Sequence, residues 1–330
     1  ASGNKIQMWI NPFGDEIFPA GTPHTVSAVE DIQGLAVNQA SKEIYIGWKQ
    51  TVSGVTSGYV SVAVPPSPIT NVPLDLAYNP DANELYILVD GSGGDVVVAV
   101  NPSNGAVLTR EDSSGNTVQR FATVNSEDAY AVAYHDGKVY VTATFEPTVH
   151  VFDADSLEEL EPIMLESGRR GQDFATASLS LAPEAGKLFV SSLRSEEVAV
   201  VDLDTGEETA VWQVPGSANT IGIAASPDGS RVYTVAQGND AISVLDGASG
   251  ELLNQVNVGA NPLNAVVDPA TGHVYVAMRG NAAVAVLDAD GTLVANLKGN
   301  DTPNHLTVDD AGRVYVVDQS TGSLTRIVAK

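Results

Sequence analysis

Short runs that alternate large and small apolar residues return along the chain at nearly even intervals. They read EIYIG at 43–47, ELYIL at 84–88, KVYVT at 138–142, KLFVS at 187–191, RVYTV at 231–235, HVYVA at 273–277 and RVYVV at 313–317. Alternation with a period of two is the pattern of a strand with two chemically different faces. The aromatic of each run is Tyr45, Tyr86, Tyr140, Phe189, Tyr233, Tyr275 or Tyr315, spaced by 41, 54, 49, 44, 42 and 40 residues. A segment of small and apolar residues precedes each run, as in QGLAVN, PLDLAYN, AYAVAYH and TIGIAASP, and another follows it, as in VHVFD, VAVVD, ISVLD and VAVLD. A more polar fourth stretch, such as EETAVWQV or ELLNQVNV, often closes the unit. Between them lie NPDANE, SPDGSR, DPATGH and DDAGR, which carry the Asn, Asp, Pro and Gly that tight turns use.

Four short strands per unit, repeated seven times, predict an all-β fold: a seven-bladed β-propeller of four-stranded antiparallel blades. A stacked solenoid would need shorter repeats, and a sandwich would not repeat. One sheet cannot bury both of its faces, whereas seven packed around an axis can. The small residues of each first strand suit the crowded centre, and the seven aromatics are expected to fill the space between neighbouring sheets. The last repeat ends at Lys330 after its third strand. The N-terminal segment 1–30, through KIQMWIN or EIFPAGTPHTV, is therefore expected to supply the outer strand that closes the ring, which removes a free sheet edge. The whole chain, 1–330, is read as one domain. The first repeat is irregular: KQTVSGVTSG reads as a long loop, and the prolines of PPSPITNVP weaken its fourth strand.

Length and apolar content (330 residues, 43% hydrophobic) agree with a large buried core. No apolar run approaches the roughly 18 residues of a membrane span. Cysteine is absent, which excludes disulfides, thiolate metal sites and a cysteine nucleophile. The chain opens on ASGNK, with small residues and no Met, and this is read as a trimmed start. The expected location is therefore exported, periplasmic or extracellular at the cell surface, with a signal peptide or lipid anchor removed. A net charge of −25 disfavours nucleic acid and anionic membrane surfaces as partners.

The second-strand VYVT pattern, the third-strand VSVLD pattern and the G-x-x-P lead into the next repeat resemble the YVTN-repeat propellers. The match is best over VGANPLNAVVDPATGHVYVAMRGNAAVAVLDADG at 258–291 and extends from about residue 30 to the end. The arrangement is similar to the secreted bacterial YncE-like subgroup. The resemblance implies an exported, seven-bladed, mostly non-catalytic binding protein; some relatives are surface-layer or nucleic-acid-associated proteins.

Loops at the channel mouth are where a propeller is expected to carry function. The bases assigned there are Lys49, Arg169, Arg170, Arg194 and Arg279, with His305 opening the last first strand; arginine offers a planar fork for carboxylate or phosphate. LESGRRGQDFATAS at 165–178 inserts a Gly-flanked Arg pair where other repeats are shorter, so it reads either as an anion contact or as two exposed bases balancing Glu166 and Asp173. Trp48 beside Lys49 reads as a contact anchor or as a gap filler. The aspartates that end third strands (Asp153, Asp202, Asp246 and Asp288) recur in step with the fold, so they are expected to form turns. DADGT at 288 and DLDTG at 202 lack the full oxygen set of a calcium loop. Nucleophile-elbow, zincin, Walker and dinucleotide motifs are missing, and the five histidines show no ligand spacing. No catalytic residue, metal site or cofactor is therefore assigned.

The reading that follows is a non-catalytic binding propeller whose channel-mouth face holds a protein, glycan or small anionic partner. One rival is a lactonase-like hydrolase or isomerase drawing on Glu146, Glu196, Asp128, Asp240, Arg194 and His305, marked by a strongly shifted pKa in the channel. The other is a surface-layer-type structural protein, marked by an exposed apolar patch.

Overall fold

The computed structural model describes residues 4–5, 7–8, 25–26, 30–38, 44–52, 55–62, 66–69, 72–90, 94–102, 106–124, 126, 128–144, 146–165, 174–298, 300–309, 312–320 and 323–328. They form seven four-stranded sheets, arranged as a β-propeller. The innermost strands, one per blade, are Glu30–Val37, Val72–Asn79, Ala129–His135, Thr176–Ala182, Thr220–Ala225, Pro262–Val267 and Pro303–Val308. Each contacts the next in that order, and the last contacts the first. Blade 5 shows the pattern: Thr220–Ala225, Arg231–Ala236, Ala241–Asp246 and Leu252–Asn257 pair successively antiparallel.

The core lies between blades. Each apolar cluster draws on two adjacent sheets, as where Tyr233 and Val244 of blade 5 meet Val274, Val276 and Leu287 of blade 6. All seven repeat aromatics are buried, none more than 3% exposed. The tyrosine hydroxyls add a latch: Tyr86 donates to the Ala154 carbonyl at 3.0 Å and Tyr233 to that of Ala289 at 2.8 Å, each just after the third strand of the following blade. Tyr233→Phe, which removes only that bond, is expected to cost about 1 kcal/mol, read as a lower urea midpoint at unchanged m-value.

The third-strand aspartates form turns as expected. Asp153, Asp202, Asp246 and Asp288 each accept a backbone N–H two or three residues on through Oδ1. Bases at the start of second strands are engaged as well: Arg313 pairs locally with Asp309 at 2.6 Å, and Lys187 reaches the next blade, donating to the Gly247 carbonyl at 2.8 Å.

The structure corrects the reading of blade 1. KQTVSGVTSG is not a long loop, because the strands run Ile44–Val52 and Val55–Val62 and pair through Val52 opposite Val55. The β-branched Thr51, Val52, Val55 and Thr56 extend the hairpin beyond the sheet proper. A fourth strand, Pro66–Ile69, also forms despite its prolines; it pairs on one side only, and an edge tolerates the missing N–H. Blade 2 holds an additional hairpin, Thr109–Glu111 with Thr117–Gln119, which accounts for the longest aromatic spacing. In the last sheet Gln7–Met8 pairs with Ser323–Val328 in parallel, not antiparallel. A strand from the far end of the chain has no hairpin to fix its direction.

Candidate functional site: the central channel

The innermost strands surround a cavity of about 670 Å³. Strand pairing sets one residue per blade at a common level, opposite the second residue after each repeat aromatic. Gly34, Asp75, Ala131, Gly222 and Asn264 face Gly47, Leu88, Thr142, Val235 and Ala277. In blades 4 and 7 this level falls in a register shift, at Ser178 and beside His305. The level is thus small in blades 1, 3 and 5 and polar in blades 2, 4, 6 and 7. Crowding enforces part of this alternation: a Cβ on Gly222 would sit 2.6 Å from the Leu263 carbonyl oxygen of the next blade.

Innermost strands have one edge without a ladder partner, so their amides need other acceptors. Polar side chains of the preceding blade supply them. Val132 N–H donates to Asp75 Oδ2 at 2.9 Å, Ala225 N–H to Ser180 Oγ at 3.0 Å and Leu306 N–H to Asn264 Oδ1 at 3.2 Å. Asp75, Ser180 and Asn264 therefore staple blades as well as line the channel.

Arg279 enters at the mouth. Its position, four residues after the repeat aromatic, is filled by Gln237 in blade 5 and Gln319 in blade 7, and all three border the cavity. One guanidinium nitrogen, Nη2, donates to Asn304 Oδ1 at 2.8 Å and to Gln319 Oε1; the buried Nε has no acceptor among the described residues. The guanidinium of blade 6 is thus held through one nitrogen by two side chains of blade 7.

Asp75, Tyr130, Arg279 and His305 are the titratable side chains among the described residues that line the cavity. Burial pushes Asp75 up to about 7, against the lowering effect of its backbone amide bonds from Val132 and Leu76. Burial, then the nearby Arg279 charge, pushes His305 down to about 4. Burial pushes Tyr130 up to about 12, with Asp75 adding to the shift and Arg279 opposing it. Near pH 7 the channel therefore holds one full cation, a neutral imidazole, a neutral phenol and a carboxyl close to its midpoint.

Of the residues singled out in the sequence, Arg279 and His305 are brought together here. Arg194 is exposed on the loop between the second and third strands of blade 4, where it borders a separate small cavity with Glu197, Gln213 and Asn219. Trp48 and Lys49 are not at a loop root; they lie within strand Ile44–Val52, opposite Tyr59 and Gly58, because the hairpin is longer than expected. Arg169 and Arg170 lie outside the described residues. The hydrolase set does not converge: apart from His305, its members are absent from the channel lining, although the shifted Asp75 and His305 meet the marker named for that rival. Asp240 accepts the Asn261 N–H at 2.8 Å, and Glu146 lies 3.6 Å from His150. Among the described residues no group of three or more His, Asp or Glu side chains is placed to hold a metal ion. Sequence reasoning missed Asp75 and Tyr130. The available signal was PLDLAYN, whose Asp interrupts a first strand, and AYAVAYH, whose first Tyr stands where neighbours are smaller.

Residues 194–325 match the profile of the family described as outer membrane protein assembly factor BamB. No curated protein sequence matches the chain. Among solved structures, hydrazine synthase of Kuenenia stuttgartiensis is similar with a TM-score of 0.73 at 16% identity, over 94% of this chain and 99% of that one. The WD40 β-propeller domain of Doa1 is similar with a TM-score of 0.65 at 10% identity, over 88% and 91%. At these identities the likeness shows the propeller fold. No helix among the described residues is long and apolar enough to cross a membrane.

Proposed function

We propose that the protein is an exported, non-catalytic binding propeller of seven blades, its last sheet completed by the N-terminal segment. It engages a partner through the channel-mouth face of blades 5–7, with Arg279 as the contact for an anionic group. The observation that carries this reading is the guanidinium held by Asn304 and Gln319 at the mouth, in a position where both neighbouring blades use glutamine. A fork fixed in advance loses little freedom on binding and suits a carboxylate. The partial match to a family described as an outer membrane protein assembly factor supports a protein partner in the envelope. The YVTN-type phrase at 258–291 supports the same placement.

Affinity capture from the source organism's envelope extract tests the proposal, comparing wild type with Arg279→Gln. Glutamine is the residue that blades 5 and 7 already carry at this position, so the fold is expected to hold, as circular dichroism would verify. The captured partner is expected to lose roughly 30-fold or more in affinity, the usual effect of removing one member of a desolvated charge pair. Equal retention by the two proteins would reject the reading.

A further inference from the structure

We propose that the channel itself is a binding site for a small hydroxylated carboxylate, its carboxylate on Arg279 and its hydroxyl groups on Asp75, Tyr130, Ser178 and Asn264. The inference rests on the reading of Arg279 as the anion contact and adds the ligand class and a proton linkage. Three observations support it.

The first is space. About 670 Å³ enclosed by seven strands falls in the range of small-ligand pockets, and is too confined for a folded partner to enter. The second is charge. In a chain of net charge −25 this cavity has one cation, Arg279, and one acid, Asp75, among the described residues that line it; the other titratable groups facing it are His305 and Tyr130. The third is the polar ring. Asp75, Ser178 and Asn264 come to one level by strand register, and Tyr130 sits next to the Ala131 of the same level. Donors and acceptors spread around a channel that also carries a cation match a ligand with one carboxylate and several hydroxyls, which can pair with the ring as well as with Arg279.

The same geometry ties occupancy to protons. An anion entering the cavity meets Asp75 as the one acid among the described residues that line it, and Asp75 takes up a proton near neutrality. His305 and Tyr130 stay neutral from pH 6 to 8. If the neutral carboxyl is the competent form, affinity falls roughly tenfold from pH 6 to pH 8.

Isothermal titration with matched probes tests this: D-galacturonate, acetate, D-galactose and trigalacturonate, against wild type, Arg279→Gln and Asp75→Asn. Wild type is expected to bind galacturonate, acetate at least tenfold more weakly, and galactose without measurable heat. Trigalacturonate is expected to bind more weakly than the monomer, because the ligand is a free acid and not a glycan terminus. Arg279→Gln should weaken galacturonate at least 30-fold, and Asp75→Asn should bind it equally at pH 6 and pH 8. No galacturonate binding by folded wild type, galactose bound as well as galacturonate, trigalacturonate bound more tightly than the monomer, or affinity unchanged in Arg279→Gln would each overturn the inference. Should wild type hold an envelope partner through Arg279 yet ignore galacturonate, this inference fails and the binding reading stands. Should Arg279→Gln lose galacturonate but keep the partner, the binding reading fails instead.

Discussion

Arg120→Met is expected to destabilise the protein by about 3–5 kcal/mol, because it leaves a carboxylate without its cation in a place with little water. Arg120 is 6% exposed and grips Glu84 with both ends of its fork, Nη1 to Oε1 at 2.7 Å and Nη2 to Oε2 at 2.8 Å. Nη2 also donates to the Ala154 carbonyl, the same oxygen that the Tyr86 hydroxyl reaches. The guanidinium thus closes a network that joins the rim of blade 2 to the turn after the third strand of blade 3. Removing it leaves Glu84 without a cation and with the neutral Tyr86 hydroxyl, which can donate to Oε2 at 3.2 Å. The double variant Arg120→Met/Glu84→Leu removes both charges and is expected to recover most of the loss. Urea unfolding of the two variants and wild type measures both effects. A single-variant loss below about 1 kcal/mol would mean that the pair is hydrated like a surface ion pair.

Asp75→Asn is expected to stabilise the protein above neutral pH while leaving it nearly unchanged in acid. The folded-state pKa of Asp75 is raised from 3.8 to about 7. The folded protein therefore binds the proton more tightly than the unfolded chain does. The stability contributed by the protonated carboxyl is fully present below about pH 4 and is lost as pH rises through 7. The full shift corresponds to about 4 kcal/mol at 1.36 kcal/mol per unit, and water in the channel reduces this to about 2 kcal/mol. Asparagine keeps an acceptor for the Val132 amide and never ionises. Its advantage over wild type should grow between pH 4 and pH 7 and level off above. A constant difference across that range would place Asp75 outside the channel's low-dielectric surroundings. An acid that costs stability at neutral pH, at a level where Asn264 serves the same stapling role, fits a residue kept for what the channel binds.

The fold was legible because its determinants are local and repeated. The period-two runs, the aromatic at the same place in each and the Asp-led turns all act within one hairpin, and each was found where expected. Blade 1 was misread for a physical reason as well. Glycines at 54 and 58 suggested a loop, whereas the β-branched residues around them, paired across the hairpin, decide the outcome. The parallel pairing of Gln7–Met8 depends on chain ends meeting, which no local pattern records. The site was legible only where it followed the repeat. Arg279 could be placed on a channel-side loop because its position four residues after the repeat aromatic recurs as Gln237 and Gln319, whereas His305 falls in a register shift of blade 7. Asp75 could not be given its role, since its shifted proton affinity comes from burial by neighbouring blades. Tyr130 likewise gains its meaning from Asp75 on one side and Arg279 on the other, residues 55 positions before it and 149 after it.

The most direct test of Arg279 at the channel mouth as the partner contact is the imidazole NMR signal of His305, assigned through His305→Gln and followed while the partner recovered by capture is added. His305 lines the cavity and feels Arg279, whereas His150 is paired with Glu159 at 3.0 Å and His273 lies against Thr271 at 2.8 Å, and neither borders the channel. The account predicts that the His305 signal shifts in wild type, that those of His150 and His273 stay in place, and that the shift disappears in Arg279→Gln. A partner that binds while His305 does not move, or that moves it equally without Arg279, would contradict the account.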